Sequence, residues 1–223
     1  MSIQIKVSQK IYLKDPNSSE LGRTIFLSAI PLIDEIGLEQ FTFKKLAEHI
    51  KSPEASVYRY FKNKHKLLIY LVSWYWNWME HRLSFGIHNI EDPMEQLKIA
   101  IRIFTHTEHS IPNFTEVDTQ ALYRIVVNES PKAYLTKEVD LDNREGYFLS
   151  YKSFSRKVAK IIHTINPQYK YATSLVSTAI EGAHNQRFFS LHLPSLTEVA
   201  DGNKEDVAEF LTDMILKVVL ADC

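Results

Sequence analysis

The chain has 223 residues, 45% of them hydrophobic, with 26 Lys/Arg against 27 Asp/Glu and a net charge of −1. That is enough apolar material for one or two packed domains, and it excludes a disordered polyelectrolyte. The one cysteine, Cys223, excludes an internal disulfide and fits a reducing, cytoplasmic setting.

Glycine is scarce at 6, and alternating Val/Thr/Ile runs with Asn-Gly turns are absent, so the expected fold class is all-α. The opening MSIQIKVSQK is polar and mixed, unlike a secretory signal. Residues 1–17 read as a flexible arm ending at Asp15-Pro16-Asn17. Ser18 or Ser19 then caps a first helix that stops at Gly37, with Leu21, Ile25, Ala29, Leu32, Ile33 and Ile36 on its apolar face. Pro31 inside it removes one N–H and predicts a bend.

Thr42 caps a second helix, Phe43 to Ile50. Lys51-Ser52 is a turn, and Ser52 with Pro53 is expected to cap a third helix running to about Tyr60. A long fourth helix starts near Lys64 and is apolar on most sides. The nearly apolar run from Leu67 to Met79 is about 13 residues, too short for a bilayer. Further helices are expected at 93–107, 116–128, 131–137, 145–166, 168–191 and 203–221, with a loop at 140–144. The helix at 145–166 carries Tyr147, Tyr151, Phe154, Val158, Ile161 and Ile165 at alternating spacings of four and three, a strong seam.

Charge is unevenly placed. Residues 1–70 hold 11 Lys/Arg and 7 Asp/Glu, net +4, and residues 71–223 hold 15 and 20, net −5. Between Phe41 and Lys66 the balance is seven cations to two acids. A small basic helix-turn-helix on an acidic body is a way to grip a phosphate backbone.

At this point Ile25 to Leu68 resembles the DNA-binding head of the TetR-type transcriptional regulators. Gly37, Phe41-Thr42, Leu46-Ala47 and above all Tyr58-x-Tyr60-Phe61-x-Asn63-Lys64-x-x-Leu67-Leu68 carry the match. The resemblance implies a DNA-binding head, 1–66, and a helical ligand-binding and dimerisation body, 67–223. One departure is clear: Lys51-Ser52-Pro53-Glu54-Ala55 stands where the family has Gly-Val-Ser-x-Gly. Lys51 must therefore adopt a backbone conformation that glycine finds easier.

The resemblance places phosphate and base-edge contacts on Thr42 and Lys44, where an N-terminal N–H cluster beside a cation also favours phosphate. Glu54, Ala55, Ser56 and Arg59 form the outer face of the third helix. Arg59 suits guanine or phosphate and Ala55 a thymine methyl; Glu54 suits a cytosine N4 or simply complements the helix dipole. Tyr58, Tyr60 and Lys64 match the family's phosphate-contacting residues.

Specific reading of a palindromic operator in double-stranded DNA needs two heads, hence a homodimer. The expected interface is a four-helix bundle through Tyr151, Phe154, Val158, Ile161, Leu175, Ala179, Gly182 and Ala183. The alternative is that these stripes form only the core of one chain. The resemblance also implies a pocket for a small-molecule effector, with Trp74, Trp78, His106, Tyr123, His184 and Phe188 as candidates. Ordinary core is the competing reading for each.

No Gly-rich phosphate loop, nucleophile elbow or zinc pattern occurs, so no enzyme, cofactor or metal is expected. The function expected is a homodimeric repressor released by a small molecule. The alternative is a helical ligand-binding or protein-interaction module of the same fold without specific DNA binding.

Overall fold

Ser19 opens the first long helix by accepting the N–H of Gly22 on its hydroxyl at 3.2 Å. This computed structural model describes residues 5–105, 116–129, 131–200 and 202–221. Among them are eleven α-helices and no strand. Helix α1 (Glu20–Gln40) buries Ile25, Phe26, Ala29, Ile30 and Ile33 along one face. Its backbone stays helical through Pro31, and the angles break instead at Gly37, with φ 72 and ψ 156. That left-handed φ is open to glycine without steric cost. The bend expected at Pro31 is therefore carried six residues later.

Next come α2 (Phe43–His49), α3 (Glu54–Tyr58) and α4 (Lys64–Gly86), then α5 (Pro93–Thr105), α6 (Thr119–Glu129) and α7 (Pro131–Tyr134). The chain ends with α8 (Val139–Arg144), α9 (Leu149–Ile165), α10 (Ala172–His192) and α11 (Lys204–Leu220). Helix α8 occupies the stretch expected as a loop. Its buried Asp142 accepts from both His65 and Lys66, which fixes the turn to α4.

The chain divides into two compact units, Met1–Trp78 with Ser110–Tyr151, and Met79–His109 with Lys152–Cys223. These cut the chain at other places than the expected division into 1–66 and 67–223. In the first unit α1 lies along α6, and Arg124 of α6 forks onto the Asp34 carboxylate of α1 at 2.7 to 3.1 Å. The rings of Phe26 and Phe61 both meet Tyr70 edge-on.

The N-terminal arm is not free over its described part. Ile5, Val7 and Ile11 are buried, and Leu13 N–H donates to the Tyr60 carbonyl at 2.7 Å. Asn77 binds the Lys6 carbonyl and Tyr147 the Lys10 carbonyl, so the arm is strapped across the unit. The apolar side chains spaced through an otherwise polar stretch are what hold it.

In the second unit α5, α10 and α11 pack on one another through Leu97, Ile101, Ile180, Ala183, Leu211 and Ile215. Here the expected dimer seam is corrected. Phe154, Val158, Ile161, Ala179 and Ala183 are between 0 and 5% exposed within a single chain, so they form its own core. Tyr151 is also engaged inside the chain, stacked on Trp76 at 4.3 Å in the first unit. Of the eight, Tyr151 on α9 and Leu175 and Gly182 on α10 remain half-exposed.

Candidate nucleic-acid interface

Helices α2 and α3 meet through Leu46, Ala47 and Val57, each nearly or fully buried. Thr42 caps α2, its hydroxyl accepting the Lys45 N–H at 3.2 Å. The turn is closed by Ser52 N–H on the Ala47 carbonyl at 2.9 Å. Lys51 has φ 52, the one positive φ at a non-glycine position among the described residues. The missing glycine is thus felt as strain in the residue that replaced it.

The expected Ser52 cap is not formed. Pro53 itself is the N-cap of α3, with φ −60 and ψ 140 and no side-chain hydrogen bond to the helix. The start of α3 thus lies one residue later than expected.

The outer face carries Thr42, Lys44, Glu54, Ala55, Tyr58 and Arg59, all exposed, with Ser56 half-buried. Lys45, Lys51 and Lys62 are exposed as well, against the acids Glu48 and Glu54. The Tyr58 ring is 47% exposed and packs edge-on against Phe43 at 4.9 Å, which holds it to the surface. Lys45 and Lys62 were not singled out by motif, though their charge within the basic stretch marks them.

Two expected phosphate contacts are placed elsewhere. Tyr60 is 2% exposed and its hydroxyl lies 2.7 Å from Ser19 Oγ. That bond, with a smaller contribution from Lys14, holds the phenol below its usual pKa range. Lys64 donates to the carbonyls of Leu38, Glu39 and Phe41 at 2.9, 3.1 and 3.3 Å. Its ammonium satisfies the end of α1, and a phosphate would have to displace those bonds.

Of the expected pocket residues, Trp74 and Trp78 are buried and stacked on each other at 6.2 Å in the first unit. Tyr123 is buried there beside Tyr75. In the second unit His184 is buried, while Phe188 is 44% exposed and packs against His192. His106 lies outside the described residues. Two cavities sit away from these side chains. One of about 210 Å³ lies under the arm between Tyr12, Asp15, Asn17 and Tyr70. One of about 360 Å³ lies between Gln186, Val199 and Phe210. Among the described residues no group of three or more His, Cys, Asp or Glu is placed to hold a metal ion. No described helix is long and apolar enough to cross a membrane.

Residues 25–71, which contain this whole face, match the family of bacterial regulatory proteins, tetR family. That match lies in the head and covers about a fifth of the chain. No curated protein matches the sequence. Solved structures match the chain over most of its length. AibR in complex with isovaleryl coenzyme A and operator DNA is 18% identical, covering 86% of this chain and 96% of its own, with a TM-score of 0.58. A putative transcriptional regulator from Saccharomonospora viridis in complex with choline is 18% identical, covering 86% and 94%, with a TM-score of 0.64. The superantigen PfiT is 14% identical, covering 90% and 97%, with a TM-score of 0.60. At these identities the likeness is one of fold.

Proposed function

We propose that the chain is a DNA-binding transcriptional regulator, a cytoplasmic homodimeric repressor released from a palindromic operator by a small-molecule ligand. The observation that carries this reading is the exposed face of the tetR-family head. Thr42, Lys44 and Tyr58 suit phosphate, and Ala55, Ser56 and Arg59 suit base edges, with Glu54 facing cytosine or the helix dipole. Tyr60 and Lys64 have no direct DNA contact in this reading. No catalytic step is involved.

Two heads about 34–36 Å apart read a palindrome. The seam once expected to join them is core, so the dimer surface is assigned to the outward sides of α10 and α11. Phe188, Leu191, Phe210 and Val218 are exposed there, beside the half-exposed Leu175 and Gly182. AibR with isovaleryl coenzyme A and the Saccharomonospora viridis regulator with choline support ligand control in this fold.

The test is binding of the full chain to a duplex from the region upstream of its own reading frame. Neutralising about 6–10 phosphates lowers affinity by about 10³–10⁵ between about 50 and 200 mM salt. A flat salt response, or unchanged affinity in a Lys44→Ala/Tyr58→Phe double variant, refutes the reading. The strained Lys51 and the uncapped start of α3 favour a second reading, in which the head keeps its fold without specific DNA binding. The same titration separates the two.

A further inference from the structure

Glu129, the last residue of α6, is 7% exposed yet carries a carboxylate. A buried carboxylate is costly unless donors converge on it. Here Oε1 accepts the backbone N–H of Leu38 at 2.9 Å, a buried bond spanning 91 positions of sequence. Oε2 lies 2.7 Å from Lys132 Nζ, an ion pair whose approach is off the hydrogen-bond direction. The same ammonium is 3.4 Å from Glu39.

These contacts converge on one short corner. Residues 37–41 follow the break in α1, and Phe41 N–H closes them by donating to the Gly37 carbonyl at 3.1 Å. From the other side Lys64, the first residue of α4, binds the carbonyls of Leu38, Glu39 and Phe41. The next residue, Thr42, caps α2. The position of α2 is therefore inherited from a corner held by Glu129 on one side and Lys64 on the other. Arg124, earlier on the same α6, grips Asp34 and keeps the two long helices in register.

We propose that Glu129 is a positioning residue for DNA reading: its buried carboxylate fixes the Gly37–Phe41 corner and thereby aims the N-terminus of α2, with Thr42 and Lys44, at the phosphates. This rests on the DNA-binding reading above. The sign of the effect separates positioning from charge. Removing an acid from a basic head strengthens DNA binding by electrostatics alone. Releasing the corner weakens it.

The test compares Glu129→Ala and Glu129→Gln with wild type in the full chain, using the upstream duplex and amide hydrogen exchange. Glu129→Ala is expected to weaken binding about tenfold with an unchanged salt slope, while Glu129→Gln, whose amide oxygen still accepts from Leu38, stays within about threefold. In Glu129→Ala the Leu38 amide exchanges faster, while amides of α10 and α11 keep wild-type rates. Equal or tighter binding by Glu129→Ala overturns the proposal. So does a Glu129→Gln that falls as far as the alanine variant. If the alanine variant does not fold, exchange at Leu38 decides: slow in both wild type and Glu129→Gln supports the corner, fast in wild type overturns it. If wild type binds no DNA, the DNA-binding reading falls on that result, and the corner is judged by the exchange at Leu38 under the same criteria.

Discussion

The hydroxyl of Tyr60 lies 2.7 Å from Oγ of Ser19, the cap of α1. This bond joins the end of the recognition segment to the first turn of α1, and the Tyr60 carbonyl also receives the N–H of Leu13. Tyr58, two residues earlier, is nearly half exposed. Two tyrosines of one motif thus have opposite tasks, one inside the head and one on its surface.

That division separates under mutation. Tyr60→Phe is expected to cost about 1 kcal/mol in a urea melt, the net value of one hydrogen bond, with DNA affinity unchanged. Tyr58→Phe is expected to leave the melt unchanged and weaken DNA binding by about threefold to tenfold through a lost phosphate contact. Loss of DNA affinity in Tyr60→Phe at wild-type stability contradicts its interior role.

Lys51 is strained by its φ of 52. A left-handed residue with a side chain costs about 1–2 kcal/mol, of which the unfolded-state entropy of glycine takes back about 0.4–1. Lys51→Gly is therefore expected to be neutral or stabilising by up to about 1.6 kcal/mol. Lys51→Val, β-branched in the same conformation, should destabilise by about 1–3 kcal/mol. Thermal melts of the pair check the order, and a valine variant as stable as the glycine one rules out strain at this turn.

Asp142 gives the head an acid-sensitive tie. Burial alone raises its carboxyl, but hydrogen bonds from His65 and Lys66 outweigh that and hold it below its model-peptide value of 3.8. A folded-state pKa below the unfolded one gives stability that is complete above the unfolded value and lost as pH falls through the folded one. Asp142→Asn should cost about 3 kcal/mol near pH 7, the lower end for a broken buried pair because Lys66 remains partly solvated. The gap to wild type should close below about pH 4. Denaturant melts across that range test it; a gap that persists undiminished at low pH assigns the loss to packing.

Gly22 sits under the turn that ends the arm. A Cβ there would lie 2.3 Å from the Pro16 carbonyl oxygen and 2.8 Å from Tyr60 Cε1. Alanine gains about 1 kcal/mol of helix propensity, but displacing backbone costs about 1–3 kcal/mol or more. Sterics should win, and Gly22→Ala should loosen the arm. Limited proteolysis between residues 5 and 18 is expected to speed up while cleavage in α10 and α11 stays unchanged.

The helices were legible because apolar spacing reports burial wherever a helix has two faces. Gly37 and Lys51 were legible too, since a left-handed φ is written in residue type. Other features were not. The arm's Ile5, Val7 and Ile11 follow no helical period, so nothing in their pattern announces burial. The seam of Phe154, Val158 and Ile161 says that something covers it, and in this chain α9 is covered by the chain itself. Tyr58 and Tyr60 look alike in a motif because a local sequence does not say where a five-residue helix ends. Glu129 is an ordinary acid until folding brings Leu38 to it from 91 positions away.

The chain's three tryptophans, Trp74, Trp76 and Trp78, all fall within five consecutive positions of α4, each at most 4% exposed. Trp74 and Trp78 stack, and Trp76 donates its indole N–H to Tyr134. The molecule therefore has its own optical reporter, and that reporter is local. Tryptophan emission and near-ultraviolet dichroism will register events around this stretch of the first unit. Tryptophan emission will not report an event confined to α10 and α11 unless it disturbs that stack.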